Sequence, residues 1–173
     1  MKILARSQGW SGDDHYTALA AALLHDIGRF PQYEAYGTYS DSQSENHGAL
    51  GAEVIRKEGI LSGIEKPEQQ KIIRSVALHN AFRLPEGVDR KTLELTRLVR
   101  DADKLDIYRV MIDLYRGSMP GKTSFITHYL PDDGRISDDL IRDIENRKLL
   151  DARDVVTLND MKLLQISWIF DLN

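Results

Sequence analysis

The sequence predicts an all-α protein. Apolar residues recur at helical spacing in one segment after another, capping residues and glycine stops punctuate those segments, and alternating strand-like runs are weak. The 173 residues, 42% hydrophobic and 29% charged, read most simply as one domain over 1–173, long enough to bury a core. A net charge of −4 offers no basic excess of the kind that nucleic acid or a polybasic membrane patch requires. With no cysteine, disulfides, thiolate catalysis and cysteine-ligated zinc are excluded, so any metal must be held by His, Asp and Glu. No apolar run approaches ~18 residues and no secretory signal is present, so a cytoplasmic protein is expected. Residues 1–5 start directly in apolar side chains, and the chain stops just after the apolar run 166–170, so a domain trimmed at both ends is expected.

Residues 2–8 read as the last turns of a helix, broken by the glycines at 9 and 12. Asp13 or Asp14 then caps a helix to about Ile27, with Ala18, Leu19, Ala22, Leu23 and Asp26 at helical spacing. Its inner end carries His25 beside Asp26, then Gly28. A neutral nitrogen next to a carboxylate suits a divalent metal, and one carboxylate can bridge two. The other reading is a capped helix end, with His25 in the core and Gly28 in the left-handed C′ position. His15 precedes His25 on the same helix by about ten residues, roughly 15 Å, so the two cannot share a metal. Residues 30–43 read as a tyrosine-rich loop whose Tyr33, Tyr36 and Tyr39 either stack on a base or pack on one another.

Ser44 is a plausible cap for a helix over 45–58, stopped by Gly59. His47 in its first turn shares a face with Leu50, Gly51 and Val54, which turns it inward among small neighbours. Pro67 opens the next helix, to about Asn80, where Ile72, Val76 and His79 follow at i, i+4, i+7. Taken alone, His47 reads more readily as a satisfied core histidine than as a ligand, and His79 also faces the core. Leu84, Pro85 and Gly87 mark a turn, and Asp89 or Thr92 starts the longest helix, through about Arg116. On a wheel of about 100° per residue, Asp103 and Asp106 fall in its apolar arc and Asp101 falls outside. A carboxylate on a buried face is costly unless paired or metal-bound. Asp103 is therefore a candidate ligand, and Asp106 a candidate base or supporting partner.

The stretch from Gly117 to Thr123 looks like a phosphate loop, but it has three residues between its glycines where the motif needs four, and it follows a helix. It is read as a turn with Lys122 exposed. Residues 123–130 read as a short extended piece and 132–134 as a turn. Ser137 caps a polar helix to about Arg147, and Thr157 with Asp160 forms a capping box for a last helix. Its stripe of Met161, Leu164, Trp168 and Leu172 suits core or a homodimer face.

Five inward-facing donors thus lie on four predicted helices: His25 with Asp26, His47, His79 and Asp103. One buried histidine needs no explanation; three, with two carboxylates, in a chain of five histidines, point to metal. ALLHDIG, then an inward histidine, then LHN, then RDADKLDIYRV form an ordered set over 18–115 that resembles the HD-domain phosphohydrolase superfamily. The resemblance implies an HD-domain-like helical bundle that hydrolyses a phosphomonoester or phosphodiester, often of a nucleotide. It implies one metal held by His25, Asp26 and Asp103, and a second, bridged by Asp26, held by His47 and His79. The metal would be Mn, Fe, Ni, Co, Zn or Mg, one ion or two, lowering the pKa of the attacking water. Asp26 and Asp106 are the expected catalytic carboxylates. Arg29 and Lys104 are candidates for holding phosphate oxygens, with a solvated face or helix cap as their alternative. The chain departs from the family at its opening histidine: His15 is the only one upstream of the HD pair and its spacing is wrong. The alternative function is accordingly a catalytically weak HD-fold protein that binds a nucleotide or a partner.

Overall fold

The structure, a computed structural model, describes residues 1–118, 127 and 129–173. Among these it contains eight α-helices and no strand: α1 (Lys2–Ser7), α2 (Gly12–Leu24), α3 (Arg29–Tyr36), α4 (His47–Lys57), α5 (Lys66–Leu78), α6 (Arg90–Tyr115), α7 (Asp138–Glu145) and α8 (Leu158–Ser167). The chain divides into two compact units, residues 1–103 and 104–173. No described helix is long and apolar enough to cross a membrane.

In the first unit α1 packs on α2, α2 on α5, α3 on α4 and α4 on α5. Ala18, Ala21, Ile55, Ile72, Val76 and Leu98 are among the residues at the centre of its core. Helices as short as α1 and α3 are marginal alone, so burial rather than propensity holds them. A fully buried Ile or Leu contributes about 1.5–3 kcal/mol. The buried face of α2 is Thr17, Ala18 and Ala21, while Leu23 is 83% exposed. The expected stripe is therefore rotated: the alanines take the interface and leave the bulkier leucine outside.

Several boundaries differ from those read in the sequence, among them the start of α2, which begins at Gly12 with Ser11 in the N-cap position. Helix α2 stops at Leu24, and residues 25–28 form a turn. Gly28 sits at φ −68°, ψ −16° in the right-handed region, not as a left-handed stop. The chain re-enters a helix at once, so most of the expected tyrosine loop is α3, ended by Gly37 at φ +65°. Pro31 in the first turn was the available signal for that helix start. Helix α4 is capped by Asn46, whose side chain accepts the Ala49 amide at 2.9 Å. The Ser44 hydroxyl is engaged elsewhere, accepting from Gln32 at 2.9 Å and donating to Ser40 O at 2.8 Å. Asp89 caps α6 by accepting the Thr92 amide at 2.9 Å.

In the second unit the Thr157–Asp160 capping box is present at the start of α8. The buried Asp160 also accepts the Ser137 amide at 2.8 Å and hydroxyl at 2.9 Å, tying the start of α7 to α8. Met161 of the expected stripe is buried, but α8 ends at Ser167, and Leu172 lies beyond a 3-10 turn and is exposed. Most of the extended piece expected over 123–130, and the turn at Pro120-Gly121 with Lys122, lie outside the described residues.

Candidate metal centre

Three glycines in the first unit draw separate backbones into contact. A Cβ at Gly28 would lie 2.0 Å from His47 O and 2.5 Å from Gly51 N. One at Gly48 would lie 2.7 Å from Asn80 Oδ1 and 2.9 Å from Val76 O, and one at Gly51 3.2 Å from Val76 Cγ1. The turn after α2, the start of α4 and the end of α5 can therefore touch only without side chains at these positions. Each of those segments ends in a histidine: His25 follows α2, His47 opens α4 and His79 follows α5.

The three rings converge. His47 Nε2 and His79 Nε2 lie 3.0 Å apart, and the His25 and His79 ring centroids 5.1 Å apart. Asp26 stands between them. Its Oδ1 is 3.3 Å from His47 Nε2 and 3.8 Å from His79 Nε2, and its Oδ2 is 3.4 Å from His25 Nε2. Asp103 Oδ1 lies 3.5 Å from His25 Nε2 on the other side. The five residues form two overlapping donor groups, His25–His79–Asp103 and Asp26–His47–His79, with donor atoms within 4.8 Å of one another in each.

The opposite edge of every ring is committed. His25 Nδ1 is 2.7 Å from Ala22 O, His79 Nδ1 2.7 Å from Val76 O, and His47 Nδ1 2.8 Å from both oxygens of Asp41. These oxygens only accept, and the one donor beside them, Asn80 Nδ2 at 3.2 Å from His47 Nδ1, donates to Asp41 Oδ2 at 2.8 Å, so each Nδ1 carries the proton and each neutral ring turns an Nε2 lone pair to the common centre. Two such lone pairs cannot face each other at 3.0 Å unless a proton or a cation lies between them. This donor set fits a divalent cation in charge, type and tautomer.

Without one, protons neutralise the cluster. Burial alone would lower the pKa of His25, but the Asp103 hydrogen bond and the Asp26 charge outweigh it and raise it to about 9. His47 is likewise raised against its burial, by Asp26 and Asp41. His79 is lowered, by burial and then by the neighbouring His47 and His25 charges. Asp26 is held well below the usual carboxylate range: burial opposes this, and His47, His25 and Arg29 prevail.

The remaining candidates are placed differently. Arg29 lies 3.4 Å from Asp26 Oδ1 and 3.5 Å from Asp41 Oδ1, and donates to Tyr39 O at 2.5 Å. Lys104, in the second unit, is paired with Asp171. The Asp106 side chain is 68% exposed and pairs with Arg109 at 3.2 Å, so it does not lie on a buried face as its wheel position suggested. Asp101, placed outside that arc, is 3% exposed. A single wheel assumes one buried face along all of α6, whereas the buried set changes where the helix leaves the first unit. His15 belongs to neither donor group. Sequence reasoning missed Asp41 and Gln32 and gave Asn80 no role; Asp41 accepts from both Gln32 and Asn80 beside His47. It also missed Arg100, whose buried guanidinium donates to His79 O at 3.1 Å and to Ala81 O, holding the end of α5. No periodicity marks these residues; Asn80 alone was flagged, by its place in LHN.

A family model described as HD domain matches residues 1–108, and all five grouped donors fall within the match. Comparison with curated proteins and with solved structures gives no significant match.

Proposed function

The chain belongs to the HD-domain family, and from that premise we propose that it is a metal-dependent hydrolase of phosphate esters whose substrate is a nucleotide. The observation that carries the reading is the convergence of three Nε2 atoms and two carboxylates on one centre. Asp26, His47 and His79 would hold one ion; His25, Asp103 and the second oxygen of Asp26 would hold another. A bound divalent ion supplies a water of lowered pKa and neutralises charge on the phosphate. The protein's own groups do the rest. Asp26, kept ionised by its neighbours, acts only as an acceptor and ligand, never as a proton donor near neutral pH. Arg29, partly exposed and 3.4 Å from Asp26 Oδ1, is the cation this reading assigns to a phosphate oxygen. Lys104 and Asp106 take no part in this reading: Arg29 touches the grouped donor Asp26, whereas their partners, Asp171 and Arg109, lie in neither group.

Of the two expectations for the tyrosines, packing on one another holds for Tyr33 and Tyr39, whose rings stack at a centroid distance of 4.7 Å. The nucleotide is proposed because both rings remain about half exposed and the Tyr39 carbonyl is held by Arg29. A base stacked on such a ring gains about 1–3 kcal/mol. Tyr33→Ala is expected to raise KM for a nucleotide about tenfold, as such a loss implies, and to leave turnover of p-nitrophenyl phosphate unchanged. Equal effects on both substrates would remove the base from the proposal. The wider test is a phosphoester panel with Mn, Fe, Ni, Co, Zn or Mg added in turn. Turnover that appears with metal and disappears with a chelator supports hydrolysis; bound metal without turnover would favour a nucleotide-binding role.

Metal affinity should also depend on pH with a definite sign. Only neutral imidazoles ligate, and in the metal-free protein His25 holds its proton up to about pH 9. Binding therefore releases protons, and affinity rises with pH up to that point, about tenfold per unit for each proton displaced. Titration calorimetry in buffers of different ionisation heat counts those protons. A pH-independent affinity with no proton release would contradict the arrangement.

A further inference from the structure

Asp41 lies outside both donor groups, yet every group that meets it is a donor. Its Oδ1 accepts from Gln32 Nε2 at 2.8 Å and lies 3.3 Å from the His47 amide nitrogen. Its Oδ2 accepts from Asn80 Nδ2 at 2.8 Å, and both oxygens lie 2.8 Å from His47 Nδ1. The orientation of Gln32 is itself settled. Its fully buried amide turns Oε1 toward Arg29 Nη1 at 3.3 Å and its NH2 toward Ser44 Oγ and Glu45 O, both at 2.9 Å. An acceptor-only group is thus required at position 41. A carboxylate bound to the far nitrogen of a ligating histidine fixes its tautomer and raises its basicity.

We infer that Asp41 is a positioning residue for the metal centre: it locks His47 as the Nδ1–H tautomer and aims the Nε2 lone pair at the site shared with Asp26 and His79. This rests on the metal reading above. Asp41 differs from the ligands in touching no metal itself; it acts through the ring. Arg29 spans Asp26 and Asp41, so the positioning carboxylate and the central ligand share one cation.

The test is Asp41→Asn, which keeps the shape but sets an NH2 against Gln32 or against Asn80 and His47. Two readouts are taken: the His47 tautomer in metal-free protein at alkaline pH, by long-range proton–nitrogen correlation, and the affinity for Mn2+. The expected result is an Nδ1–H ring in the wild type, a shift toward Nε2–H in the variant, and Mn2+ binding weaker by about 10–100-fold. A wild-type tautomer with wild-type affinity in the variant would overturn the inference, whatever its melting temperature. Should Asp41→Asn fail to fold, Asp41→Ala with added formate replaces it: affinity recovered with formate supports the role, and no recovery overturns it. A wild-type protein with an Nδ1–H ring that binds no Mn2+ would sink the metal reading instead and take the aiming role with it.

Discussion

His79→Ala is expected to abolish stable binding of the ion that Asp26, His47 and His79 would hold. His79 belongs to both donor groups, so neither survives its removal intact, and that ion is left with one imidazole and one carboxylate oxygen. The ring is buried, and its Nε2 stands 3.0 Å from that of His47. Loss of an outer partner of a ligand weakens metal by up to about 100-fold, and loss of the ligand itself should exceed that. The metal-free fold should suffer much less, because the same change relieves a centre where imidazoles already crowd one another. The distinctive signature is therefore a near-normal melting temperature without metal and a marked loss of the rise that added metal brings to the wild type. His15→Ala, outside both groups, should change neither. Elemental analysis after loading gives the direct answer: His79→Ala protein retaining the wild-type metal content would show that the rings meet for some other reason.

Gly28→Ala is expected to be the most destabilising single-methyl addition in the first unit. At an open helical position the same change would stabilise by about 0.4–1 kcal/mol, because it restricts the unfolded chain. Here φ is −68°, so alanine faces no backbone strain, and the sign is decided by contact alone. The added carbon would stand 2.0 Å from His47 O, 2.5 Å from Gly51 N and 3.0 Å from Gly51 Cα, all backbone atoms that cannot swing aside. The turn must then back away from α4 and carry His25 and Asp26 with it. Overpacking of this kind costs about 1–3 kcal/mol, sometimes more, and the displaced ligands should weaken metal as well. Gly63→Ala is the control, since a Cβ there meets nothing within 4 Å. Urea denaturation of the two variants separates them. Equal stabilities would mean that α4 and the turn do not touch through bare backbone.

The contrast between those glycines shows where sequence reading stopped. Gly28, Gly48 and Gly51 were legible as small residues near histidines, but not as the contact that lets three chain segments meet. Asp41 had no periodic neighbour to mark it. Its partners are 9, 6 and 39 residues away in Gln32, His47 and Asn80, and only the folded backbone brings them to one carboxylate. Asp106 failed in the opposite way: its spacing matched the apolar arc of a helix whose buried side changes along its length. Lys104 was read as free for phosphate, and a residue 67 positions away holds it.

The sequence by itself determined the all-α class, the family, and the residue types able to serve as donors. Helical periodicity and ligand chemistry are local properties, written in residue identity and spacing over a few turns. Only the tertiary structure decided that α2 ends before the His25–Asp26 pair, that α3 stands where a loop was expected, and that Asp41 rather than Asp106 lies beside the centre. Those outcomes depend on which backbones can approach within a few ångströms and on which distant partner reaches a given oxygen first, and neither is encoded in the spacing of any one helix.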